Sequence, residues 1–197
     1  MTGHAVATAK ATLRGDARAR RDAISPAARA AAAVAIADRV DAELLAPLPA
    51  GALVCLYDAI GSEVSTRGIA ARALARGLEL AYPRIVPGAL ELALHRAMPE
   101  QLAPGTLRIQ EPPVSAPQVR ATDAALILLP GLLFDRRGAR LGWGRGHYDA
   151  TLAGAPDRPR AGLAFESQLV DRLPTDEHDL FVHRIVTEAA VHRCSEK

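Results

Sequence analysis

Apolar residues follow two patterns along this chain, and each pattern predicts a different element. Short apolar runs bounded by turn-forming residues are typical of buried strands, whereas longer stretches without breakers are typical of helices. The predicted strands are Ala52–Tyr57, Leu78–Tyr82, Leu90–His95, Ala124–Leu129, Arg160–Phe165 and Ile185–Val191. The predicted helices are Val6–Ala23, Pro26–Leu45 and Val64–Ala75, and Pro99–Pro117 is predicted to be irregular.

Strands and helices alternate along the chain, which is the order found in α/β proteins. Strands separated by helices favour a mostly parallel sheet, because parallel neighbours need long crossover connections. We therefore predict a three-layer α/β/α fold in which helices cover both faces of the sheet. Ligands in such folds bind beyond the carboxyl ends of the strands. A binding site is expected where the loops after Tyr57, Leu129 and Phe165 emerge.

Composition and charge exclude several classes of protein. The 197 residues suffice for one domain (residues 1–197) with a full core. No apolar run approaches the roughly 20 residues of a membrane-spanning helix, and a net charge of +2 gives no case for a nucleic-acid partner. Cys55 lies in an apolar run and Cys194 in a polar tail, so they do not form a disulfide framework. We expect a cytoplasmic protein with small-molecule partners, and a monomer rather than a stable oligomer.

A loop with alternating glycines is the most informative segment. Gly142, Gly144 and Gly146 stand at every second position, a spacing that disfavours both helix and strand. Loops of this kind let backbone N–H groups approach an anion, most often a phosphate. Arginines flank the loop, and Asp149 follows it as a candidate metal ligand. The spacing matches neither a Walker A motif nor a dinucleotide fingerprint. A glycine-rich surface turn therefore remains the alternative.

A basic stripe runs along the first predicted helix. Lys10, Arg14, Arg18 and Arg21 cover an arc of about 80° at 100° per residue. A solvated helix face is the plain explanation of such a stripe. However, only Lys10 and Lys197 among the 24 basic residues are lysines. A lysine retained on this face favours a specific role for Lys10.

Two acidic segments are further candidates. Ser62–Thr66 lies between a strand and a helix, where an acid can simply favour the helix start through the dipole. Leu173–Asp179 contains acids and His178, but it has no zinc-binding spacing. An acidic solvated loop is the alternative for this second segment.

The string Pro130–Asp149, PGLLFDRRGARLGWGRGHYD, closely resembles the signature of the 5-formyltetrahydrofolate cyclo-ligase family, also called methenyltetrahydrofolate synthetases. Weaker similarities follow the family's order at Lys10–Arg14, Glu63–Thr66, Tyr82-Pro83, Ile109–Pro112 and Leu173–Asp179. Three positions depart from the family pattern. His147 stands where an aromatic residue is usual, His183 stands where an aspartate is frequent, and Leu107-Arg108 lacks a tryptophan that some members carry.

The resemblance implies ATP- and Mg²⁺-dependent conversion of 5-formyltetrahydrofolate, and of its polyglutamates, to 5,10-methenyltetrahydrofolate with release of ADP and phosphate. ATP would phosphorylate the formyl oxygen, and N10 would then attack the activated carbon. Phosphoryl transfer depends on positioning and charge neutralisation more than on a protein nucleophile. Mg²⁺ is thus the implied cofactor and ATP the implied co-substrate.

The resemblance also implies roles for individual residues. They are Lys10 and Arg145 for catalysis; Lys10, Arg14, Arg140, Gly142, Trp143, Gly144, Arg145, Gly146 and His147 for ATP; Glu63, Asp58 and Tyr148 for the substrate; and Asp149 and Asp179 for the metal.

Two other functions stay open on the residues alone. A sugar-phosphate isomerase or CoA-transferase of similar architecture would need no ATP. A non-catalytic nucleotide-binding module would keep the glycine loop but would have no use for Glu63.

Overall fold

The structure is a computed structural model that describes residues 3–105 and 109–195. Its helices are α1 (Gly3–Asp22), α2 (Pro26–Val40), α3 (Arg67–Ala75) and α4 (His147–Ala153). Its strands are β1 (Leu53–Cys55), β2 (Glu79–Ile85), β3 (Leu92–Arg96), β4 (Ala103–Pro104), β5 (Gln110–Glu111), β6 (Gln118–Val119), β7 (Ala124–Leu129), β8 (Leu133–Asp135), β9 (Arg140–Leu141), β10 (Arg160–Leu163), β11 (Leu169–Val170), β12 (Arg184–Val186) and β13 (Val191–Arg193). Within the described ranges, no helix is both long enough and apolar enough to span a membrane.

Eight of these strands form one sheet in the order β13-β12-β10-β7-β1-β2-β3-β6. From β12 to β2 every neighbouring pair is parallel, whereas β13, β3 and β6 add antiparallel strands at the two edges. β1 lies in the centre, where Val54 is opposite Leu126 of β7 and Leu80 of β2. The predicted mostly parallel sheet is confirmed.

Helices cover both faces of this sheet. Val54 packs in a core with Ile36 of α2 and Ile69 of α3. Its neighbour Cys55 points the other way, into a second core that contains Leu152 of α4. Successive strand residues face opposite sides of a sheet, so a fully apolar β1 requires cover on both faces. The burial of every β1 residue agrees with this arrangement.

A small second sheet, in the order β11-β8-β9, carries the chain from the main sheet to the glycine loop. Ala17 of α1 packs with Leu141 of this small sheet in a third core. Asp135, at the end of β8, accepts hydrogen bonds from the backbone N–H of Ala139 (3.0 Å) and of Leu173 (2.9 Å). The carboxylate of Asp135 therefore joins the glycine-loop region to the segment that carries Asp179.

The helix signals in the sequence correspond to local contacts. Pro26 begins α2, and the Ser25 hydroxyl accepts a hydrogen bond from the N–H of Ala28 (3.2 Å), as an N-cap does. A turn of π-helix, Asp41–Leu45, continues α2 to its predicted end. α3 begins at Arg67, three residues later than predicted, after Thr66 as N-cap.

Several predicted strand limits are wrong by one to three residues, and the segment Pro99–Pro117, predicted to be irregular, contains β4 and β5. Two differences have a clear physical reason. β2 does not stop at Pro83 but continues to Ile85, paired with β3. β1 ends opposite Ala81, so no neighbour on that side requires an N–H from Pro83. The last predicted strand, Ile185–Val191, is instead two antiparallel strands, β12 and β13. The Thr187 hydroxyl accepts hydrogen bonds from the N–H groups of Ala189 and Ala190 and turns the chain between them.

Candidate active site

One large cleft, of about 1220 Å³, opens beyond the carboxyl ends of β1 and β7. α1 and the glycine loop (Gly142–Gly146) border it, together with the acidic segment (Asp176–Asp179). All the candidate residues from the sequence line this cleft: Lys10, Arg14, Asp58, Glu63, Arg140, Gly142, Trp143, Gly144, Arg145, Gly146, His147, Tyr148, Asp149 and Asp179. The fold therefore brings together residues that stand up to 169 positions apart.

The glycine loop needs its glycines for backbone geometry and for close packing. Gly144 has φ +91°, and a Cβ there would lie 2.8 Å from the Arg14 guanidinium carbon. Gly146 has φ +69° at the position before α4. Only glycine adopts such conformations without strain. In addition, Arg14 Nε donates a hydrogen bond to the carbonyl of Gly142 (3.1 Å) and holds the loop against α1.

Lys10 reaches from α1 to the acidic segment. Its ammonium donates hydrogen bonds to Asp176 Oδ2 (2.8 Å) and Asp179 Oδ1 (2.7 Å). Burial opposes the charge on Lys10, but these two carboxylates raise the pKa of its ammonium above the ordinary value. The Lys10 hydrogen bond in turn lowers the pKa of Asp176. Lys10 is thus a buried cation whose partners lie across the cleft, and the solvated-face explanation is wrong for it.

The two candidate metal ligands lie on adjoining segments. Asp149 Oδ1 accepts a hydrogen bond from Arg140 Nη2 (3.0 Å), and the N–H of Leu180, the residue after Asp179, points to the same oxygen at 3.4 Å. Among the described residues, no group of three or more His, Cys, Asp or Glu side chains could hold a metal. Two carboxylates with phosphate oxygens are nevertheless a usual magnesium set. Asp149 and Asp179 supply two carboxylates to the cleft, and both oxygens of Asp179 accept hydrogen bonds from Lys10.

Glu63 is a buried carboxylate that lines the same cleft and contacts the glycine loop. Its Oε2 accepts a hydrogen bond from the N–H of Ile60 (2.9 Å), and its Oε1 accepts one from the indole N–H of Trp143 (3.0 Å). Burial raises the pKa of Glu63 above the ordinary carboxyl value, although these donors and the charge of Arg21 oppose the shift. α3 begins four residues later, at Arg67. The helix-start explanation of Glu63 is therefore wrong.

Arg21 lies beside this carboxylate. The sequence did not identify Arg21 as a candidate site residue. Its side chain is 2 % exposed. It donates hydrogen bonds to Ser62 Oγ (2.9 Å) and to the carbonyl of Gly131 (3.2 Å), and its Nη1 lies 3.8 Å from Glu63 Oε1. The only signal in the sequence was its place in the basic stripe. The spacing of that stripe does not distinguish a buried arginine from a solvated one.

The remaining candidate residues line the rest of the cleft. Asp58 is half-buried, and burial raises the pKa of its carboxyl. Tyr148 stacks beneath the Arg140 guanidinium, 5.6 Å from the ring centroid, and burial raises the pKa of its hydroxyl. His147 Nδ1 contacts the carbonyl of Leu90 (2.6 Å), and Arg145 is exposed on the glycine loop.

The cleft therefore combines two chemically different parts, which meet where Trp143 of the glycine loop contacts Glu63. One part offers a buried carboxylate that accepts N–H donors. The other offers backbone amides, cationic side chains and two carboxylates, which suit a metal-bound polyphosphate. The model of the 5-formyltetrahydrofolate cyclo-ligase family matches residues 6–188. The chain belongs to the 5-formyltetrahydrofolate cyclo-ligase family.

Individual members of the family are similar over most of the chain. The 5-formyltetrahydrofolate cyclo-ligase of Mycolicibacterium smegmatis is 33% identical over 147 residues, which are 70% of this chain and 74% of that protein. The 5,10-methenyltetrahydrofolate synthetase of Aquifex aeolicus superposes with a TM-score of 0.75 at 31% identity, over 93% of this chain and 92% of that one. The synthetase of Mycoplasma pneumoniae, at 22% identity, shares the fold with a TM-score of 0.74, over 91% of this chain and 98% of that one.

Family membership makes the chain an enzyme, an ATP-dependent ligase, and not a non-catalytic nucleotide-binding module. Within the family signature, the residues divide into two groups. Gly142–Asp149 borders the cleft, whereas Asp135 is fully buried. Arg137 Nη2 donates to Asp135 Oδ2 (2.7 Å) and to the carbonyl of Leu173 (3.0 Å). Asp135 therefore supports the site from the core, whereas Pro130 and the residues from Arg140 to Asp149 line the cleft itself.

The departures from the family pattern lie in different surroundings. His183 Nδ1 accepts a hydrogen bond from the N–H of Arg160 (3.0 Å), between β10 and β12. Leu107 and Arg108 are outside the described residues. The prediction that the loop after Phe165 borders the site is wrong, since residues 166–170 do not line the cleft. This loop instead supports the chain after β7, where the Gln168 amide donates to the carbonyls of Gly131 (2.9 Å) and Leu132 (3.0 Å).

Proposed function

We propose that this protein catalyses the ATP- and Mg²⁺-dependent closure of 5-formyltetrahydrofolate to 5,10-methenyltetrahydrofolate, with release of ADP and phosphate. The observation that carries the proposal is that one cleft contains both the buried Glu63 carboxylate and the glycine loop with its charged surroundings. Names of family relatives support the same substrate.

The part of the cleft around Glu63 suits the pterin ring of a folate. The aminopyrimidinone edge of a pterin presents adjacent N–H donors, and a carboxylate can accept two of them side by side. Glu63 is buried, so such a hydrogen bond would not be weakened by competition with water. Arg21 keeps a positive charge beside Glu63 and favours its ionised, acceptor form.

The part of the cleft around the glycine loop suits ATP. Backbone N–H groups of Gly142–Gly146 and the guanidinium of Arg145 would bind phosphate oxygens, and Arg14 and Arg140 already pack against the loop. Lys10 now bridges Asp176 and Asp179, so we expect it to exchange a carboxylate for a phosphate oxygen when ATP binds. Asp149 and Asp179 would hold Mg²⁺, which when bound neutralises phosphate charge.

The reaction follows from the chemistry of the formyl group. The formyl oxygen attacks the γ-phosphorus and ADP leaves, which converts a poor leaving group into a phosphate ester. N10 then attacks the formyl carbon, loses its proton, and phosphate departs with the former formyl oxygen. The roles of Lys10 and Arg145 are to place the γ-phosphate in line and to stabilise its charge during transfer, since phosphoryl transfer needs no protein nucleophile.

The test is a turnover assay with purified protein. Methenyl-folate absorbance should grow only when Mg²⁺, ATP and 5-formyltetrahydrofolate are all present, with one ADP per product. Product formation without ATP would contradict the proposal and favour an isomerase- or transferase-like reaction. ATP binding without any folate turnover would contradict it as well.

A further inference from the structure

Trp143 makes a contact that its expected place among the ATP ligands does not explain. It is the single tryptophan of the chain, and it lies on the glycine loop with 43% of its surface exposed. Its indole N–H nevertheless donates to Oε1 of the buried Glu63 (3.0 Å). The ring lies under two guanidinium groups, those of Arg18 and Arg21, at 5.6 and 5.5 Å from its centroid.

This contact occupies the acceptor that a folate would need. The other oxygen of Glu63, Oε2, already accepts from the backbone N–H of Ile60, which is part of the fold. On the Oε1 side the hydrogen-bond partner is a side chain, and there the indole supplies a planar ring with one N–H donor. A pterin edge offers the same chemistry, with more donors. The indole and such a ligand therefore compete for the same oxygen.

The backbone around Trp143 allows the indole to leave. Gly142 and Gly144 flank it, and neither has a side chain that would resist a change of φ and ψ. The contacts that hold the loop include the Arg14 hydrogen bond to Gly142, the indole hydrogen bond to Glu63 and the guanidinium groups of Arg18 and Arg21 over the Trp143 ring. Release of the indole would therefore displace the glycine loop, whose backbone N–H groups are proposed to bind the phosphates of ATP.

We propose that Trp143 is a specificity-determining residue that binds Glu63 as an internal ligand in the free protein, and that a substrate with an N–H donor edge binds by displacing it. The proposal rests on the proposed function, which supplies the folate. Ligands that lack adjacent N–H donors cannot replace the indole at Glu63. Displacing the indole lowers the apparent affinity of every ligand of Glu63 by the same factor, and only a ligand that brings its own N–H donors replaces the hydrogen bond lost at Oε1.

The decisive experiment compares 5-formyltetrahydrofolate affinity by calorimetry, without ATP, in wild-type protein and Trp143→Phe. Phenylalanine keeps a ring for Arg18 and Arg21 but has no N–H donor. We expect Trp143→Phe to bind the folate about 3- to 10-fold more tightly, the range that one net hydrogen bond corresponds to. In a Glu63→Gln background the same substitution should change affinity much less, because the charged acceptor is gone. Equal or weaker binding by Trp143→Phe would overturn the proposal.

A matched control separates the N–H bond from the ring contacts. Arg18→Gln removes one guanidinium from the ring, leaves the indole hydrogen bond in place, and should alter affinity less than twofold. If Arg18→Gln tightens binding as much as Trp143→Phe does, loop mobility explains the effect and the proposal is wrong. In the wild type, tryptophan emission should shift when folate is added, since the ring leaves the two guanidinium groups. An unchanged emission at saturating folate would also overturn it.

Failure of the proposed function would look different. If wild-type protein does not bind 5-formyltetrahydrofolate, or if Glu63→Gln binds it as tightly as the wild type, then Glu63 is not the folate acceptor. In contrast, normal folate binding and a normal Glu63 effect with no response to Trp143→Phe would contradict only the role of Trp143.

Discussion

The proposed role of Lys10 requires its ammonium group to change hydrogen-bond partners when ATP binds. Its ammonium now bridges two aspartates, and catalysis as proposed requires it to reach a phosphate. A lysine suits both tasks because its three donors surround a compact charge, whereas arginine presents a planar fork. The sequence drew attention to Lys10 as one of two lysines, but it could not show the aspartates, which are 166 and 169 positions away.

We therefore predict that Lys10→Arg keeps the fold and loses ATP efficiency. The charge is retained, so the melting temperature should change little, but kcat/KM for ATP should fall by roughly tenfold or more as the larger group displaces the γ-phosphate. Steady-state ATP kinetics measure this effect. Arg20→Lys, an exposed exchange on the same helix, is the control and should behave as wild type. Normal ATP kinetics in Lys10→Arg would return Lys10 to a purely structural role.

Asp149 gives the corresponding prediction for the metal. Asp149→Asn keeps an oxygen for the Arg140 and Leu180 donors but loses the charge that Mg²⁺ needs. The Mg²⁺ concentration for half-maximal rate should rise about tenfold or more, while the fold is retained. Asp157→Asn, an exposed aspartate beyond α4, should leave the magnesium requirement unchanged. If Asp149→Asn has a normal magnesium titration, Asp149 is not a ligand.

The buried carboxyl group of Glu63 leads us to predict that the KM for 5-formyltetrahydrofolate depends on pH. Burial raises the pKa of this carboxyl, and only the ionised form accepts two N–H donors from the pterin. The KM for 5-formyltetrahydrofolate should therefore increase as the pH falls through this raised pKa, above the ordinary carboxyl range. Glu63→Gln should have a higher KM, by about tenfold or more, without that acid limb. An acid limb of the same shape in Glu63→Gln would assign the titration to another group, such as Asp58.

At the scale of elements, the glycine loop permits the clearest test of geometry. Gly144→Ala places a Cβ at φ +91° and 2.8 Å from the Arg14 guanidinium. We expect this alanine to cost about 1–2 kcal/mol of stability and to reduce ATP kcat/KM, because the loop must move off Arg14. Thermal unfolding and ATP kinetics measure both effects.

Gly15 is the matched control for Gly144. It lies within α1, and no atom is within 4 Å of the Cβ that alanine would add. Gly15→Ala should therefore be neutral, or stabilising by up to about 1 kcal/mol, since alanine favours helix. Equal effects of the two substitutions would mean that the Gly144 backbone is not constrained.

The elements themselves were predictable where a local signal defines them. Ser25-Pro26 predicted the start of α2, and the apolar run Ala124–Leu129 predicted β7 with both limits correct. Strand ends were less accurate, since they depend on neighbours. Pro83 stays in β2 because β1 has already ended, and β1 is 28 positions earlier at Cys55. Sequence periodicity contains no such information.

Candidate residues of the site were predictable mainly because the signature at Pro130–Asp149 is specific. Their partners were not. That Arg21 lies under Glu63 follows from the packing of α1 against the loops after β1 and β7, which no spacing along the helix reveals. The same packing gives Trp143 its acceptor, 80 positions away.

At the scale of the whole molecule, the site depends on a buried carboxylate, that of Asp135, which does not line the cleft. Asp135 accepts hydrogen bonds from the backbone of Arg137, Ala139 and Leu173 and pairs with the Arg137 guanidinium. These contacts connect the small sheet to the acidic segment, which Lys10 then joins to α1. Removal of Asp135 would therefore affect regions that are distant along the chain.

We predict that Asp135→Asn destabilises the protein by about 3–5 kcal/mol, the usual effect of removing one partner of a buried ion pair. Since the melting temperature will fall, activity must be measured well below it. There we expect a raised magnesium requirement, because the Leu173 contact that positions Asp176–Asp179 is weakened. Asp123→Asn removes an exposed carboxylate that also pairs with a nearby arginine, Arg120, and should hardly change the melting temperature. If Asp135→Asn is as stable as Asp123→Asn, or keeps a normal magnesium titration while folded, then the acidic segment is positioned by Lys10 and not by Asp135.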